Sequence, residues 1–234
     1  RVEEISKALA ALLGDSVETT QELAAAHGLG AGIRRQGWLT VYTSKAAFAA
    51  AAETRALKRR RGVALEELGP EELRQMEPAL APDLAGGIYL PEVGQLVQSY
   101  EFLLGLAEAF RVGGGEVVKG EARGFARDGG GRVTGVVTES ATLPCDAVVV
   151  AAGAWSKPLA RQLGAKVPLD TERGYHLTIP DAGVELSRPV CDSESGMVCT
   201  SLGNGLRIAG TVELGGLDLP AGRDAGDPGP ASDA

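Results

Sequence analysis

The sequence is short of aromatic residues, histidine and cysteine, and each shortage excludes something. Aromatics make up 4% of the chain, too few for the stacking platforms that hold single-stranded nucleic acid. The net charge of −8 argues against a nucleic-acid partner on electrostatic grounds as well. The two histidines, His27 and His176, stand far apart with no clustered cysteine motif beside them, which leaves no metal site of the usual ligand spacing. Cys145, Cys191 and Cys199 are odd in number and lack the CxxC spacing of a redox or zinc motif. A reducing compartment fits such usage, with each thiol a small buried hydrophobe. No run approaches the roughly 18 apolar residues that would span a bilayer. The N-terminal Arg1-Val2-Glu3-Glu4 is already helical in character, so the chain reads as beginning in mid-protein and carries no signal-peptide pattern.

What is present is the composition of a globular protein, 44% hydrophobic and 23% charged, long enough to bury a real core in one large or two small domains. Apolar spacing predicts a helix from Val2 to about His27, ended by Gly28. A strand follows over Gly37 to Tyr42, and Ser44 caps an alanine-rich helix running to about Arg61. Its basic end, Lys58 to Arg61, reads as a solvated helix terminus. Pro70 opens another helix, Gly87 to Pro91 reads as a strand, and Ser99 to Val112 as an amphipathic helix with Phe102, Leu103, Leu106 and Phe110 on one side. From Glu116 the pattern changes. Glu116 to Val118 is strand-like, and strands at Glu121–Arg127, Arg132–Glu139 and Ala141–Pro144 make a meander turning at Gly129-Gly130-Gly131. Beyond Leu163 the chain is rich in strand candidates, at Leu177–Ile179, Pro189–Cys191, Met197–Cys199 and Leu206–Ala209. From Leu217 on, periodicity ends, and the composition predicts disorder.

The segment Asp146-Ala147-Val148-Val149-Val150-Ala151-Ala152-Gly153-Ala154-Trp155-Ser156 reads as a buried parallel strand that meets a glycine and opens a helix. A glycine there allows close backbone approach to a ligand, and a helix start offers free N–H groups. A tight strand-to-helix turn is the plainer alternative. Helix, strand, meander, buried strand and helix in that order fit the second half of a dinucleotide-binding domain.

The wording of four segments, in order, resembles the FAD-dependent D-amino-acid oxidase/dehydrogenase superfamily, most closely its bacterial D-amino-acid dehydrogenase (small-subunit) branch. They are Gly87 to Glu92 with the helix through Phe110, Gly131 to Ser156, Pro168 to His176, and Gly205 to Glu213. The resemblance implies an α/β (α+β) fold: part of an FAD-binding Rossmann-like domain with a β-meander, plus part of an antiparallel-sheet substrate domain. The bounds it implies are 1–92 for a helical and β part of the substrate domain, 93–165 for the C-terminal part of the FAD-binding domain, 166–216 for a β-rich substrate segment, and 217–234 for a disordered tail. Departures stand beside it. No GxGxxG follows a strand, since Gly28-Leu29-Gly30-Ala31-Gly32 follows a helix. The family's final Arg-Pro segment and last glycine-rich loop are missing. Val97 to Tyr100 replaces a usual Asp-Pro pair, and Ser201 a frequent proline. The chain therefore reads as a fragment lacking both ends, inactive by itself.

The activity implied is oxidative deamination of a D-amino acid, with hydride passing from the substrate Cα to flavin N5 and an imino acid as product. FAD is the cofactor implied, an amino acid the small-molecule partner, and oxygen or a quinone the electron acceptor. Neither nucleic acid nor a membrane span enters, and the location implied is cytoplasmic, with a peripheral seat on the inner membrane as alternative. A glycine/sarcosine-type amine oxidase of the same fold, or a non-catalytic binding module on this scaffold, are the competing readings. Cofactor contacts implied are Ala122, through its backbone, with Ala152, Gly153 and Trp155; core packing is the alternative for Trp155. Substrate contacts implied are Tyr175, His176 and Met197. Against them stand a hydrogen-bonded strand residue for His176 and core filling for Met197. Arg207 points outward from a strand and reads as structural.

Overall fold

The computed structural model describes residues 1–218; the tail expected over 217–234 lies, from 219 on, outside the described residues. The described residues form two compact units, one of residues 1–114 and 174–211, the other of residues 115–173 and 212–218. The sequence reading put its boundaries at 92/93 and 165/166. The difference lies chiefly in one helix, Ser99–Val112, which groups with the first unit.

The first unit carries β1 (Ile33–Arg35), β2 (Trp38–Tyr42), β3 (Glu66–Leu68), β4 (Gly86–Leu90) and β5 (Gly94–Leu96), with helices α1 (Val2–Leu13), α2 (Ser16–Ala26), α3 (Lys45–Ala50), α4 (Ala52–Arg60), α5 (Pro70–Met76) and α6 (Ser99–Val112). The second unit carries the meander β6 (Ala122–Arg127), β7 (Val133–Thr138) and β8 (Thr142–Pro144), then α7 (Ser156–Gln162). The chain continues through β9 (Arg173–Ile179), β10 (Val190–Asp192), β11 (Val198–Leu202) and β12 (Gly205–Glu213).

These last four strands join β2, β3 and β4 in one seven-stranded sheet of order β3-β4-β2-β10-β11-β12-β9. Its pairings are antiparallel from β3 to β2 and from β10 to β12, with β2 and β10 parallel, Leu39 opposite Val190. One face carries the core: Leu39, Val41 and Val190 pack with Leu68, Leu73 and Leu186, and Cys199 and Leu206 lean on them. Alternation along each strand dictates this face. Gly87 is required within it, because a Cβ there would stand 2.6 Å from Cδ2 of Leu73, so α5 can press the fully buried Leu73 onto the sheet. The thiols of Cys191 and Cys199 are half-buried, and burial raises both above the ordinary thiol range. Of the three cysteines expected to be buried, all are only partly so, and Cys199 alone packs against the core.

Polar contacts fasten the edges. Ser44 caps α3 by accepting from the Ala47 N–H at 3.1 Å. Arg55 is buried, donates to the Phe48 carbonyl at 2.5 Å, meets Glu67 at 3.2 Å and lies over the Phe48 ring. The Lys58–Arg61 run is not merely solvated. Arg59 pairs with Glu67, and Arg60 and Arg61 pair with Glu3 of α1, because the helix end lies against other elements whose carboxylates its charges can reach. Glu77, just after α5, is buried. Its Oε2 accepts from the Ser187 N–H (3.0 Å) and hydroxyl (2.6 Å), with Arg188 Nε 3.7 Å away.

Helices expected as single pieces are broken, at Gly14-Asp15 between α1 and α2 and at Ala51 between α3 and α4. In the second unit the meander forms where expected, with Phe125 opposite Val136 and Val136 opposite Leu143. Two expected strands do not form a ladder. Residues 116–118 and 146–152 form no ladder among the described residues, and Val149 is 89% exposed. A parallel strand is held by neighbours on its edges, and no described strand pairs with either segment. Among the described residues no helix is long and apolar enough to cross a membrane, and no cluster of His, Cys, Asp and Glu could hold a metal ion.

Candidate functional site

The face of the large sheet opposite the core is not filled. Strand alternation places Trp38 on it from β2, Thr200 and Leu202 from β11, Arg207 from β12, and His176 with Thr178 from β9. All six line one open cavity of about 890 Å³ within the first unit. Its far wall is the connection from β5 into the first turn of α6, Gln95 to Glu101. Thr200 stands directly opposite Arg207 in the β11–β12 register. Trp38 is fixed by its own strand, its indole N–H donating to the Thr40 hydroxyl two residues on, at 3.1 Å.

The cavity wall is mixed in character. Leu96, Val97, Leu202 and Pro189 are apolar; the hydroxyls of threonine, Ser99 and Tyr100, side-chain amides, an imidazole, one guanidinium and one carboxylate are the polar groups. Apolar surface and convergent polar groups in one cleft are the two elements of a small-molecule site, and both are in this wall. The segment entering β10 is held firmly under it: the Leu186 N–H donates to the Ser201 hydroxyl at 2.8 Å, and Ser187 is bound by Glu77. Ser201 thus does something a proline at that position could not, since proline has no side-chain acceptor.

Of the three expected substrate contacts, His176 lies in the cavity wall. Tyr175, next to it, alternates to the other side of β9 and is half-buried. Met197 precedes β11, its sulfur 2.8 Å from where a Gly210 Cβ would stand, and is not part of the cavity lining. The reading missed Arg207, Thr200, Thr178 and Trp38. The signal was available in strand parity: Leu206 and Ile208 face one way, so Arg207 faces the other.

The expected cofactor contacts lie in the second unit. Ala152 and Gly153 are exposed at the turn into α7, and Trp155 is 63% exposed. Trp155 is therefore not packed in a core. Gly153 has φ +52°, and a Cβ built there would meet nothing within 4 Å. Residues 148–152 flank a shallow hollow of about 290 Å³, whose other walls are Phe125, Val136 and Leu159. Ala122, exposed, opens β6 opposite Thr138; it is not in that wall. An open positive-φ glycine turn beside exposed, unpaired backbone fits one side of a flat nucleotide cofactor, which approaches main chain closely.

Comparison with known proteins agrees in family and fold. Residues 2–232 match the family model described as DAO, FAD dependent oxidoreductase. A D-amino-acid oxidase of Bradyrhizobium diazoefficiens is 37% identical over 220 residues, covering 93% of this chain and 51% of that protein. A D-amino acid dehydrogenase of the same organism is 34% identical over 197 residues, covering 79% of this chain and 45% of that protein. The chain thus spans about half the length of the curated relatives it matches. Among solved structures, glycine oxidase from Geobacillus kaustophilus superposes with a TM-score of 0.74 at 23% identity, over 94% of this chain and 57% of that one. L-proline dehydrogenase from P. horikoshii gives the same TM-score at 18% identity, over 89% and 58%. At such identities the structures show a shared fold and nothing finer, whereas the family match covers nearly every residue. The chain belongs to the DAO family of FAD dependent oxidoreductases.

Proposed function

We propose that the protein carrying this chain oxidatively deaminates a D-amino acid with FAD as cofactor, and that the cavity over β2, β11, β12 and β9 holds the substrate. The observation that supports it is an open, partly polar cavity on the uncovered face of the large sheet, in a chain whose curated relatives are a D-amino-acid oxidase and D-amino acid dehydrogenases. When bound, the flavin supplies the acceptor for the two electrons and the hydrogen leaving the substrate Cα. This chain's residues do the remaining work. Backbone at Ala152 and Gly153 would lie against the cofactor, with Trp155 and Ala122 as further contacts. Trp38, Leu96 and Leu202 offer apolar surface to a substrate side chain and exclude water from it. His176 and the hydroxyls of Thr178 and Thr200 offer hydrogen bonds that fix its orientation. Tyr175 and Met197 back these strands from outside the cavity.

The electron acceptor in this reading is oxygen or a quinone; with a quinone the protein would work in the cytoplasm at the inner membrane surface. The test is product formation by the flavin-loaded protein, 2-oxo acid and ammonia being measured from D- and L-alanine with oxygen and, separately, a soluble quinone. D-selective product is the expected result. Turnover of glycine or sarcosine alone would replace this reading with that of an amine oxidase, and a flavin-loaded protein that oxidises none of these would sink both.

A further inference from the structure

We infer that Glu101 selects the side chain of the substrate, and that the cavity prefers an amino acid with a cationic side chain, of which D-lysine is the simplest probe. The inference rests on the substrate reading above and adds to it the class of amino acid taken. Its first ground is how charge is distributed around the cavity. The cationic and basic side chains of the lining, Arg207 and His176, both stand on the sheet, on β12 and β9. The one carboxylate of the lining, Glu101, stands on the far wall in the first turn of α6. A second positive charge is therefore repelled from the sheet side and drawn to the far wall. The N-terminus of α6 carries about half a positive charge, which a whole carboxylate outweighs. Glu108, further along the same helix, is held by Arg111 at 3.5 Å and does not line the cavity.

The second ground is what stands beside Glu101. The same wall offers the side-chain carbonyls of Gln95 and Gln98 and the hydroxyls of Ser99 and Tyr100. An ammonium brings three N–H donors and a guanidinium five, so a cation needs acceptors beyond one carboxylate, and this wall has them. It contains no lysine or arginine. Leu96 and Val97 give the methylenes of a long side chain an apolar surface to lie on. Glu101, Gln98 and Val97 also border a second hollow of about 320 Å³. Its cation, Arg34 on β1, lines that hollow and not the cavity, and makes no ion pair with Glu101 among the described residues. The net charge of −8 favours encounter with cationic molecules as well.

The test measures binding to the full chain by calorimetry, without turnover. The probes are D-lysine and D-norleucine, which share one carbon chain and differ in the terminal ammonium. D-lysine should bind roughly three- to tenfold more tightly, the scale of a charge-assisted pair in a half-open cleft. Glu101→Gln should abolish that preference and leave D-norleucine affinity unchanged, which also shows that the cavity is intact. Glu101→Asp should keep part of the preference. Glu108→Gln, which removes the same charge outside the cavity, should keep all of it. Equal binding of the two probes, a preference that survives Glu101→Gln, or one that falls as far in Glu108→Gln overturns the inference and leaves the substrate reading standing. Loss of D-norleucine binding together with D-lysine in Glu101→Gln would make Glu101 a structural residue and overturn it too. Binding of neither probe by the parent chain would overturn the inference and take the cavity out of the substrate reading. A preference carried by Glu101 in a protein that, loaded with flavin, oxidises no amino acid would instead refute the functional reading and leave the cation subsite standing.

Discussion

Removing the buried carboxylate of Glu77 should cost the first unit more than any surface ion pair could. Its Oε2 holds the Ser187 N–H and hydroxyl, and Arg188, whose side chain is 18% exposed, lies 3.7 Å away and stacks over Tyr89. In Glu77→Ala the Ser187 N–H loses its acceptor, the arginine loses its counter-charge, and a void opens beside Leu73. Breaking one side of a buried pair costs about 3–5 kcal/mol. In Glu77→Gln an amide oxygen can still take the Ser187 bonds, now neutral rather than charge-assisted, and a loss of about 1–2 kcal/mol follows from that difference. Urea unfolding of both variants and the parent measures this, with unchanged slope showing that the loss is one of stability. Since Pro189 lies two residues from Ser187 and lines the cavity, the alanine variant should also bind cavity ligands more weakly, and the glutamine variant much less so. Equal losses in the two variants, or less than about 1 kcal/mol for alanine, would refute the claim that this carboxylate ties α5 to the approach to β10.

Leu39→Ala should cost about 2–5 kcal/mol, because Leu39 is fully buried between β4 and β10; thermal or urea unfolding checks it, and a loss under about 1 kcal/mol would place the core elsewhere. The hydrogen bond from Arg59, aided by charge from Arg55 and Arg59, holds the Glu67 carboxyl below its ordinary value of 4.5. A carboxylate so lowered contributes stability that is present above its unfolded pKa and is lost as pH falls through the folded one. Glu67→Gln should therefore flatten the decline in stability between about pH 5 and pH 3, and an unaltered acid limb in urea midpoints would contradict the assignment. Gly153→Val should lower flavin content per chain in the flavin-loaded protein, since φ +52° is strained for valine and its side chain would fill the open turn; full 450-nm-band flavin absorbance at wild-type stoichiometry would show that the turn is not approached closely.

The sequence was most legible where local chemistry and tertiary packing agree. α6 has the bounds its apolar spacing predicts, Pro70 opens α5, and the glycine-rich turn separates β6 from β7. It was least legible where a neighbour decides. The run 146–152 has the composition of a buried strand, but composition cannot supply the flanking strand that would bury it. From the sequence Arg207 reads as structural because it alternates outward on its strand. Only the register with β11 shows that its face is the uncovered one. Tyr175 and His176 were read together as substrate contacts, though adjacent residues of a strand point to opposite sides. The basic run at Lys58–Arg61 found partners in Glu3 and Glu67, which no spacing rule connects.

The parallel pairing of β2 with β10 also sets a timetable. β2 gains β4 soon after it is made, but its other edge, carrying Leu39 and Val41, is closed only by Val190 and its neighbours. At a synthesis rate of about 5–20 residues per second, roughly 8–30 s separate Leu39 from Val190 on the ribosome. Throughout that interval the nascent chain presents an apolar strand with free N–H and C=O groups, the kind of edge that pairs with other chains. The floor of the cavity is completed in the same late step, so a chain released before β10 would lack the site and carry an open template for aggregation.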